Sequence, residues 1–510
     1  MKADLVYKKL ISNGFFPEKL EGIFSAKKFG EWIILNNPEV PQNGRYHLVI
    51  YKATRNDNAP RIFGIPNPVA HLNTSIQIRD NWKKIEEIYE KVKGRENISM
   101  IIPKDGNKNQ RLVSLSSYDS NKEKEYLETK KHFGKKYFVH ADVASCYPNI
   151  YTHSICWALV GKNRSKLTAQ KKNLWYNKID QSFQSAQDKE TKGIPIGPDT
   201  SGIVAELILS CIDRKLSKKY EYNRFIDDYY CFCETKEKAE HFIKDLSFEL
   251  DFFRLSLNTK KTKISSLPKA LNESWVRKLR SLISWKKIGK EQKDAVISFL
   301  DLSSELFAEN PGESSIRYAI QVIRKKNYVH YETFQLILQY YFNLCYLYPY
   351  IIDTCHYFVE IGINSFPLRK DDILKEVIDF LNKFLKEHIS FRRTDAVVWA
   401  FFNAIKFDLL LENTSQMNKQ TKGDCLNTLM LYLYSKINKI NVVYFDQYFK
   451  DIEKDTSKHS GVGRKGDYSE MWLFVYEYSR IENKSLSIPL LEVLRNNDIS
   501  FLDDSILNKL

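Results

Sequence analysis

The stretch Arg224-Phe225-Ile226-Asp227-Asp228-Tyr229-Tyr230-Cys231-Phe232 decides how this chain is read. Apolar and aromatic residues flank an acidic pair, the pattern of a β-hairpin with two carboxylates at its tip. Asp is a common turn residue, so a single one carries little meaning. Two adjacent carboxylates between strand formers repel, and a bound cation is the usual remedy. Mg²⁺ favours carboxylates together with substrate phosphates, which points to a divalent-metal phosphoryl-transfer site. The plain alternative is a solvated acidic turn, the commoner fate of an isolated Asp-Asp pair.

Composition sets the frame. The chain has 510 residues, enough for two or three domains with large cores. Hydrophobic residues make up 43%, as in folded globular proteins. A formal net charge of +15 favours a polyanionic partner, most often nucleic acid. The 30 Tyr and 30 Phe suit stacking on bases, although most are expected in cores. Of the eight cysteines, Cys231 and Cys233 are the closest pair, and no second pair or nearby His completes a zinc pattern. All eight are read as reduced and mostly buried, in a cytosolic protein. No signal-peptide core follows Met1-Lys2-Ala3-Asp4, and no run approaches a membrane span.

Residues 1 to about 40 read as short helices and turns, with Asn13-Gly14, Pro17 and Asn37-Pro38 as punctuation. From Arg45 the pattern turns to β, with strands at His47–Lys52 and Arg61–Ile65. Lys52 and Arg61 then sit near each other, as a triphosphate grip or as a solvated basic hairpin. A helix through Trp82 to Tyr89, a polar loop at Pro103-Lys104-Asp105-Gly106 and a charge-rich exposed segment over 119–136 follow.

Tyr137-Phe138-Val139-His140-Ala141-Asp142-Val143 reads as a strand ending in an acid, with Tyr147 five residues on. Thr152 is placed to cap a helix from His153. Gly161 to Lys172 is basic, either a phosphate-tracking loop or a solvated face. Gly193-Ile194-Pro195-Ile196-Gly197-Pro198-Asp199-Thr200-Ser201 builds a rigid turn whose backbone is open to close approach. An amphipathic helix follows, with Ile203, Val204, Leu207, Ile208, Cys211 and Ile212 on its apolar face. After the acidic hairpin come a helix over about 236–252 and the segment Leu255–Lys263. This order gives an antiparallel sheet with helices on one side, an α+β layout. From about residue 275 the β signal fades. Helical stripes at Val296–Phe307 (stopped by Asn310-Pro311-Gly312), Ile373–Phe384 and Met471–Tyr476 suggest an α-solenoid or irregular bundle without a fixed sequence period. The aromatic run Tyr340–Tyr350 reads as buried helix, and Lys458, His459, Arg464 and Lys465 as a mobile basic loop.

Taken together, Asp142, the Gly193–Ser201 turn, Asp227-Asp228 and Asn258-Thr259-Lys260-Lys261 resemble, in that order, the palm motifs of reverse transcriptases. Phe225-Ile226-Asp227-Asp228 resembles the aromatic-x-Asp-Asp box, and Leu257-Asn258 with Lys261 the later Leu-Asn-x-x-Lys box. Ile150–Leu159 and Gly193–Ser201 resemble more narrowly the abortive-infection reverse transcriptases of bacterial antiphage defence, in particular those carried on prophages. The resemblance is strong over roughly residues 45–270 and architectural beyond.

The resemblance implies an N-terminal helical segment (1–44), a fingers and palm unit (45–270) and an all-α, HEAT-like unit (271–510). It implies catalytic roles for Asp142, Asp227, Asp228 and Lys261. Mg²⁺, or Mn²⁺ in its place, would be held by Asp142, Asp227 and the Val143 backbone. Lys52, Arg61, Tyr147, Gly193, Pro195 and Gly197 would bind the nucleotide, with Tyr147 excluding a ribose 2′-OH and Lys261 protonating pyrophosphate. The implied activity is DNA synthesis from dNTPs without a template, primed by a hydroxyl of the chain itself. Single-stranded DNA would stay covalently attached to a homo-oligomer in the bacterial cytoplasm. Tyr7 is the first candidate primer, ahead of Tyr46 and Tyr51, because the N-terminal segment is expected to be mobile. Ile196 stands where templated enzymes usually carry Gln, and no thumb or RNase H-like segment is recognisable after Lys263. A templated reverse transcriptase and an inert nucleic-acid-binding scaffold or toxin remain the alternatives.

Overall fold

The computed structural model describes residues 1–42, 44–55, 59–92, 98–99, 111–112, 131, 133–268, 270, 274–282, 290–309, 315–325, 328–441, 443–459 and 468–510. The Pro103–Gly106 loop, most of the 119–136 segment, the Asn310-Pro311-Gly312 stop, Arg464 and Lys465 lie outside the described residues. The fold is α+β, with a small sheet region followed by a helical C-terminal region.

Strand β1 (Val49–Ala53) pairs antiparallel with β2 (Arg61–Ile65), setting Ala53 opposite Arg61 and Tyr51 opposite Phe63. The chain then enters the helix Pro68–Asp80, where Asn67 accepts the Val69 N–H at 3.0 Å and Pro68 supplies a preset first φ.

The second sheet has four antiparallel strands. They are β3 (Tyr137–Asp142), β4 (Tyr222–Phe225), β5 (Asp228–Cys233) and β6 (Lys263–Ser266), in the order β4-β5-β3-β6. Side-chain alternation sorts its two faces. Val139 and Ala141 pair with Cys231 and Tyr229, all buried against the helices Asp199–Leu216 and Lys236–Phe252. Phe138, His140 and Asp142 pair with Phe232, Tyr230 and Asp228 on the opposite face. That face carries the acids away from the helical core. Thr235 caps the second helix by accepting the Lys238 N–H at 3.2 Å.

Thr152 does precede the helix His153–Val160, but its hydroxyl makes no capping bond and accepts from Gln184 at 3.2 Å instead. The helix Tyr331–Leu347 ends before the aromatic run does, and Pro349 opens a separate turn over Pro349–Thr354. Lys458 and His459 close the helix Val443–His459 rather than a loop. All eight cysteines are buried and free.

The C-terminal helices do not form a core of their own. One hydrophobic core runs from Phe15, Phe16 and Phe29 to Trp472 and Phe501. Phe15 stacks on Phe501 at 5.6 Å between centroids, and Trp472 meets Phe501 edge-on at 5.5 Å. Backbone bonds stitch the same place, from Ser25 N to Phe501 O at 2.8 Å and from Asp503 N to Ile23 O at 2.9 Å. Phe15, Phe16 and Phe29 thus pack with the C-terminal helices, while Val6 and Leu10 belong to the core beneath the four-stranded sheet. Among the described residues no helix is long and apolar enough to cross a membrane.

Candidate active site

The acidic hairpin has a two-residue turn. β4 ends at Phe225 and β5 begins at its partner Asp228, which leaves Ile226 and Asp227 at the tip. Ile226 takes φ +56°, a left-handed conformation that a β-branched residue rarely adopts. Such strain costs on the order of 1–3 kcal/mol and persists only where the surroundings enforce it. Here Arg224 Nη1 donates to the Ile226 carbonyl at 2.8 Å, and the Val143 N–H donates to the Asp227 carbonyl at 3.1 Å.

Arg224 itself is fully buried. Its remaining N–H groups go to Asp213 at 2.6 and 2.9 Å and to Glu206 at 2.9 and 3.0 Å. Tyr222 donates to the other Asp213 oxygen at 2.8 Å. Burial opposes the Arg224 charge, and Asp213 and Glu206 more than offset that, holding it well above its ordinary pKa. The guanidinium thus ties the acidic turn to the helix Asp199–Leu216.

Asp142 closes β3 directly opposite Asp228, and Asp227 stands beside both. Carboxylate oxygens of the three lie within 4.8 Å of one another. Burial first, then Asp228 and Asp142, push the Asp227 carboxyl up to about 6, with Lys261 opposing. Three crowded carboxylates with oxygen-only donors fit a hard divalent cation. Lys261 reaches Asp142 Oδ2 at 3.4 Å, and the Asn258 amide donates to the same oxygen at 2.8 Å. His140 contacts Asp228 Oδ1 through Nε2 at 2.9 Å while stacking on Tyr230 at 4.9 Å.

A cavity of about 1000 Å³ lies over these acids. Asp142, Val143, Asp227, Tyr147, Arg61, Gly197 and Lys261 all line it. Asp228 belongs to the acidic cluster without lining the cavity. Gly193 and Pro195 stand behind it. The Gly193 N–H bonds the Ile150 carbonyl at φ +86°, while Pro195 packs so close to Gly64 that a Cβ there would lie 2.9 Å from its ring. They shape the turn rather than touch the cavity.

Lys52 and Tyr7 do not join the cavity. Lys52 alternates away from Tyr51 and Ala53, is exposed, and faces the charge of Asp424. Arg55, two residues beyond the end of β1, lines the cavity with Arg61 instead. Burial and the neighbouring Arg55 lower the Arg61 pKa, and Asp227 pulls the other way, so the three charges are close. Tyr7 sits in the packed helix Ala3–Ser12, 8% exposed, with the Arg79 guanidinium 4.7 Å above its ring. It does not line the cavity. Tyr46 is equally buried, and Tyr51 reaches the cavity wall at 1% exposure.

The C-terminal helices supply a wall that sequence reasoning missed. Arg317, Tyr350, Asp353, Asp395 and Trp399 all line the same cavity. Arg317 bonds Asp353 at 3.0 Å and the Tyr350 carbonyl. No motif announces these residues, because they meet the acids only through tertiary packing.

A family model described as reverse transcriptase (RNA-dependent DNA polymerase) matches residues 78–282. No curated protein matches the chain. Among solved structures, apo telomerase from Candida tropicalis truncated from its C-terminal domain is 14% identical, covering 47% of this chain and 54% of that one, with TM-score 0.29. The untruncated apo telomerase from Candida tropicalis is 13% identical over 74% of this chain and 73% of that one, with TM-score 0.31. Telomerase from Candida albicans in complex with a TWJ fragment of telomeric RNA is 11% identical over 70% and 68%, with TM-score 0.30.

Proposed function

The chain carries a reverse transcriptase domain and is a nucleotidyltransferase of that DNA-polymerase type; from this premise we propose that it is an abortive-infection, antiphage DNA polymerase of the prophage-borne kind. It makes DNA from dNTPs without a template, primed by a hydroxyl of its own chain, so that single-stranded product stays covalently attached. The working form is a homo-oligomer in the bacterial cytoplasm. The same reading keeps the division into residues 1–44, 45–270 and 271–510.

The observation that carries the polymerase reading is the cluster of Asp142, Asp227 and Asp228 beside a cavity with Arg55 and Arg61. Asp142 and Asp227 would hold Mg²⁺ or Mn²⁺, with the Val143 backbone and Asp228 completing the site. When bound, the metal lowers the pKa of an attacking hydroxyl and stabilises the leaving pyrophosphate. Arg55 and Arg61 bind the triphosphate through guanidinium forks suited to phosphate. Tyr147, its hydroxyl pKa raised by burial, lines the cavity and would press against a ribose 2′-OH. Lys261 stands beside Asp142 to give a proton to pyrophosphate.

Two features support synthesis without a template. Ile196 offers the cavity an apolar side chain where a polar contact to a template base would be needed. The wall from Arg317 to Trp399 lines the same cavity as the acids and takes up surface that an open cleft would leave to a second strand.

The test is incubation of pure protein with dNTPs and Mg²⁺, with neither template nor primer. DNA that survives SDS with the protein and is removed by DNase supports the reading. Synthesis only on adding a template replaces it with a templated enzyme, and no synthesis under any condition with an inert scaffold.

A further inference from the structure

The fingers hairpin carries Arg55 and Arg61 at its loop end, and that end is held from far along the chain. Thr54 stands between Arg55 and Ala53, and Ala53 is the cross-strand partner of Arg61. The Thr54 N–H donates to Asp395 Oδ2 at 2.6 Å, and its hydroxyl donates to Oδ1 at 2.9 Å. Asp395 lies in the first turn of the helix Thr394–Lys406 and is 3% exposed. Its third bond comes from the Ala396 N–H at 2.8 Å. A carboxylate is tolerated at such depth only when donors fill it, and two of its three donors belong to Thr54. Trp399, one turn further along the same helix, lines the cavity together with Tyr51, where this helix packs against β1. One helix therefore packs on β1 and grips Thr54.

The hairpin needs such a grip. Arg55 and Arg61 are close enough for each charge to disfavour the other, while Asp227 bears on Arg61 from the palm. Left to themselves, two like charges at the loop end of a two-stranded ribbon swing apart, and an isolated ribbon of this kind is marginal in water. Held together, they form a ready anion site facing the acids.

We propose that Asp395 is a positioning residue for nucleotide binding: it fixes Thr54, and through Thr54 it sets Arg55 and Arg61 as a preformed grip for the triphosphate. The proposal rests on the polymerase reading, which supplies the triphosphate. It makes the helical region part of the nucleotide site, acting through the fingers without touching substrate. Preorganisation of this kind removes the ordering cost that a loose hairpin meets on binding.

The test compares the full chain with Asp395→Asn, Thr54→Val and Thr54→Ser. Thr54→Val keeps the backbone donor and the side-chain shape and deletes only the hydroxyl. Two quantities are read: the Kd of a fluorescent dATP analogue with Ca²⁺ replacing Mg²⁺, and kcat and KM for dNTP incorporation with Mg²⁺. Asp395→Asn and Thr54→Val should raise Kd and KM on the order of tenfold, with a smaller effect on kcat. Thr54→Ser, which restores the hydroxyl, should recover the wild-type Kd. If Asp395→Asn does not fold, Thr54→Val against Thr54→Ser decides. A residue that merely props the fold would lower the melting temperature and leave Kd and KM unchanged, and that result overturns the proposal. Wild-type protein that binds no dNTP overturns the polymerase reading together with the proposal. Wild-type binding matched by Asp395→Asn and Thr54→Val overturns the proposal alone.

Discussion

Asn258 holds Asp142 at both ends: its backbone N–H donates to the Asp142 carbonyl at 2.7 Å, and its amide donates to Oδ2 at 2.8 Å. The bond fixes the carboxylate's rotation before any cation arrives. Asn258→Ala should therefore leave the fold intact and loosen the metal site. Partners of metal ligands typically contribute about 10- to 100-fold in affinity or activity. A Mg²⁺ titration of dNTP incorporation should show the half-saturating concentration rising by that order. An unchanged titration curve would remove Asn258 from the site.

Asp227 gives a prediction with a sign. Its carboxyl stands near 6 in the folded chain against 3.8 for the free residue, so the folded state binds the extra proton. Stability of the metal-free protein then falls as pH rises from about 4 to 6 and stays lowered above that. Asp227→Asn removes the penalty. In EDTA it should be more stable than wild type at pH 7 by about 1–2 kcal/mol, allowing for partial exposure, and equal near pH 3. Denaturant titrations at the two pH values check this. The same variant should incorporate no nucleotide; an active Asp227→Asn would end the metal assignment.

Arg224 lies beneath the hairpin with Glu206 and Asp213. Removing one partner of a buried ion pair leaves charge without compensation, at a cost of about 3–5 kcal/mol. Arg224→Ala should lose stability on that scale in urea. Arg224→Lys retains charge but cannot bond both acids and the Ile226 carbonyl together. It should fold and incorporate nucleotide poorly, since the strained turn at Ile226 loses its tether.

Arg55 and Lys52 separate two readings of the fingers. Arg55→Ala should raise the KM for dNTPs, because Arg55 lines the cavity with Arg61. Lys52→Ala should leave KM unchanged, because Lys52 faces Asp424. Steady-state kinetics on the two variants decide the matter, and equal effects would mean that the cavity is not the triphosphate site.

Tyr147 bears on sugar choice. Replacing it by Val should narrow the preference for dNTPs over rNTPs by at least about tenfold in kcat/KM, since a lost wall mainly relieves exclusion. A ratio that does not move would take Tyr147 away from the ribose.

What could be read from the sequence follows the reach of each signal. The hairpin at Asp227-Asp228, the strand ending at Asp142 and the helix after Pro198 are local patterns of period 2 or 3.6, and each stands where its pattern puts it. Lys52 is exposed on β1 and does not line the cavity, whereas Arg55 just past the strand does, and a strand's own pattern does not say which cation a tertiary cavity takes. Tyr7 packs beneath Arg79, and packing against a distant segment cannot be seen from either segment alone. His140 carried a usable sign: it precedes Asp142 by two residues and so shares its face. Arg224, Asp395 and the Arg317–Trp399 wall left none. Their importance lies in burial and in tertiary partners, from Glu206 and Asp213 for Arg224 to Thr54 for Asp395, which pattern and propensity do not encode.

The joining of Ser25 to Phe501 and of Ile23 to Asp503 has a consequence in time. Ribosomes deliver the chain from its N-terminus, so Ile23 and Ser25 wait, unpaired, until residues 501 and 503 have emerged. The acids at 142, 227 and 228 are complete midway through translation, yet Asp395 and Trp399 are still to come. A half-made chain has the acids without their setting. In the order of synthesis, Asp142, Asp227 and Asp228 emerge well before the helix that carries Asp395 and Trp399.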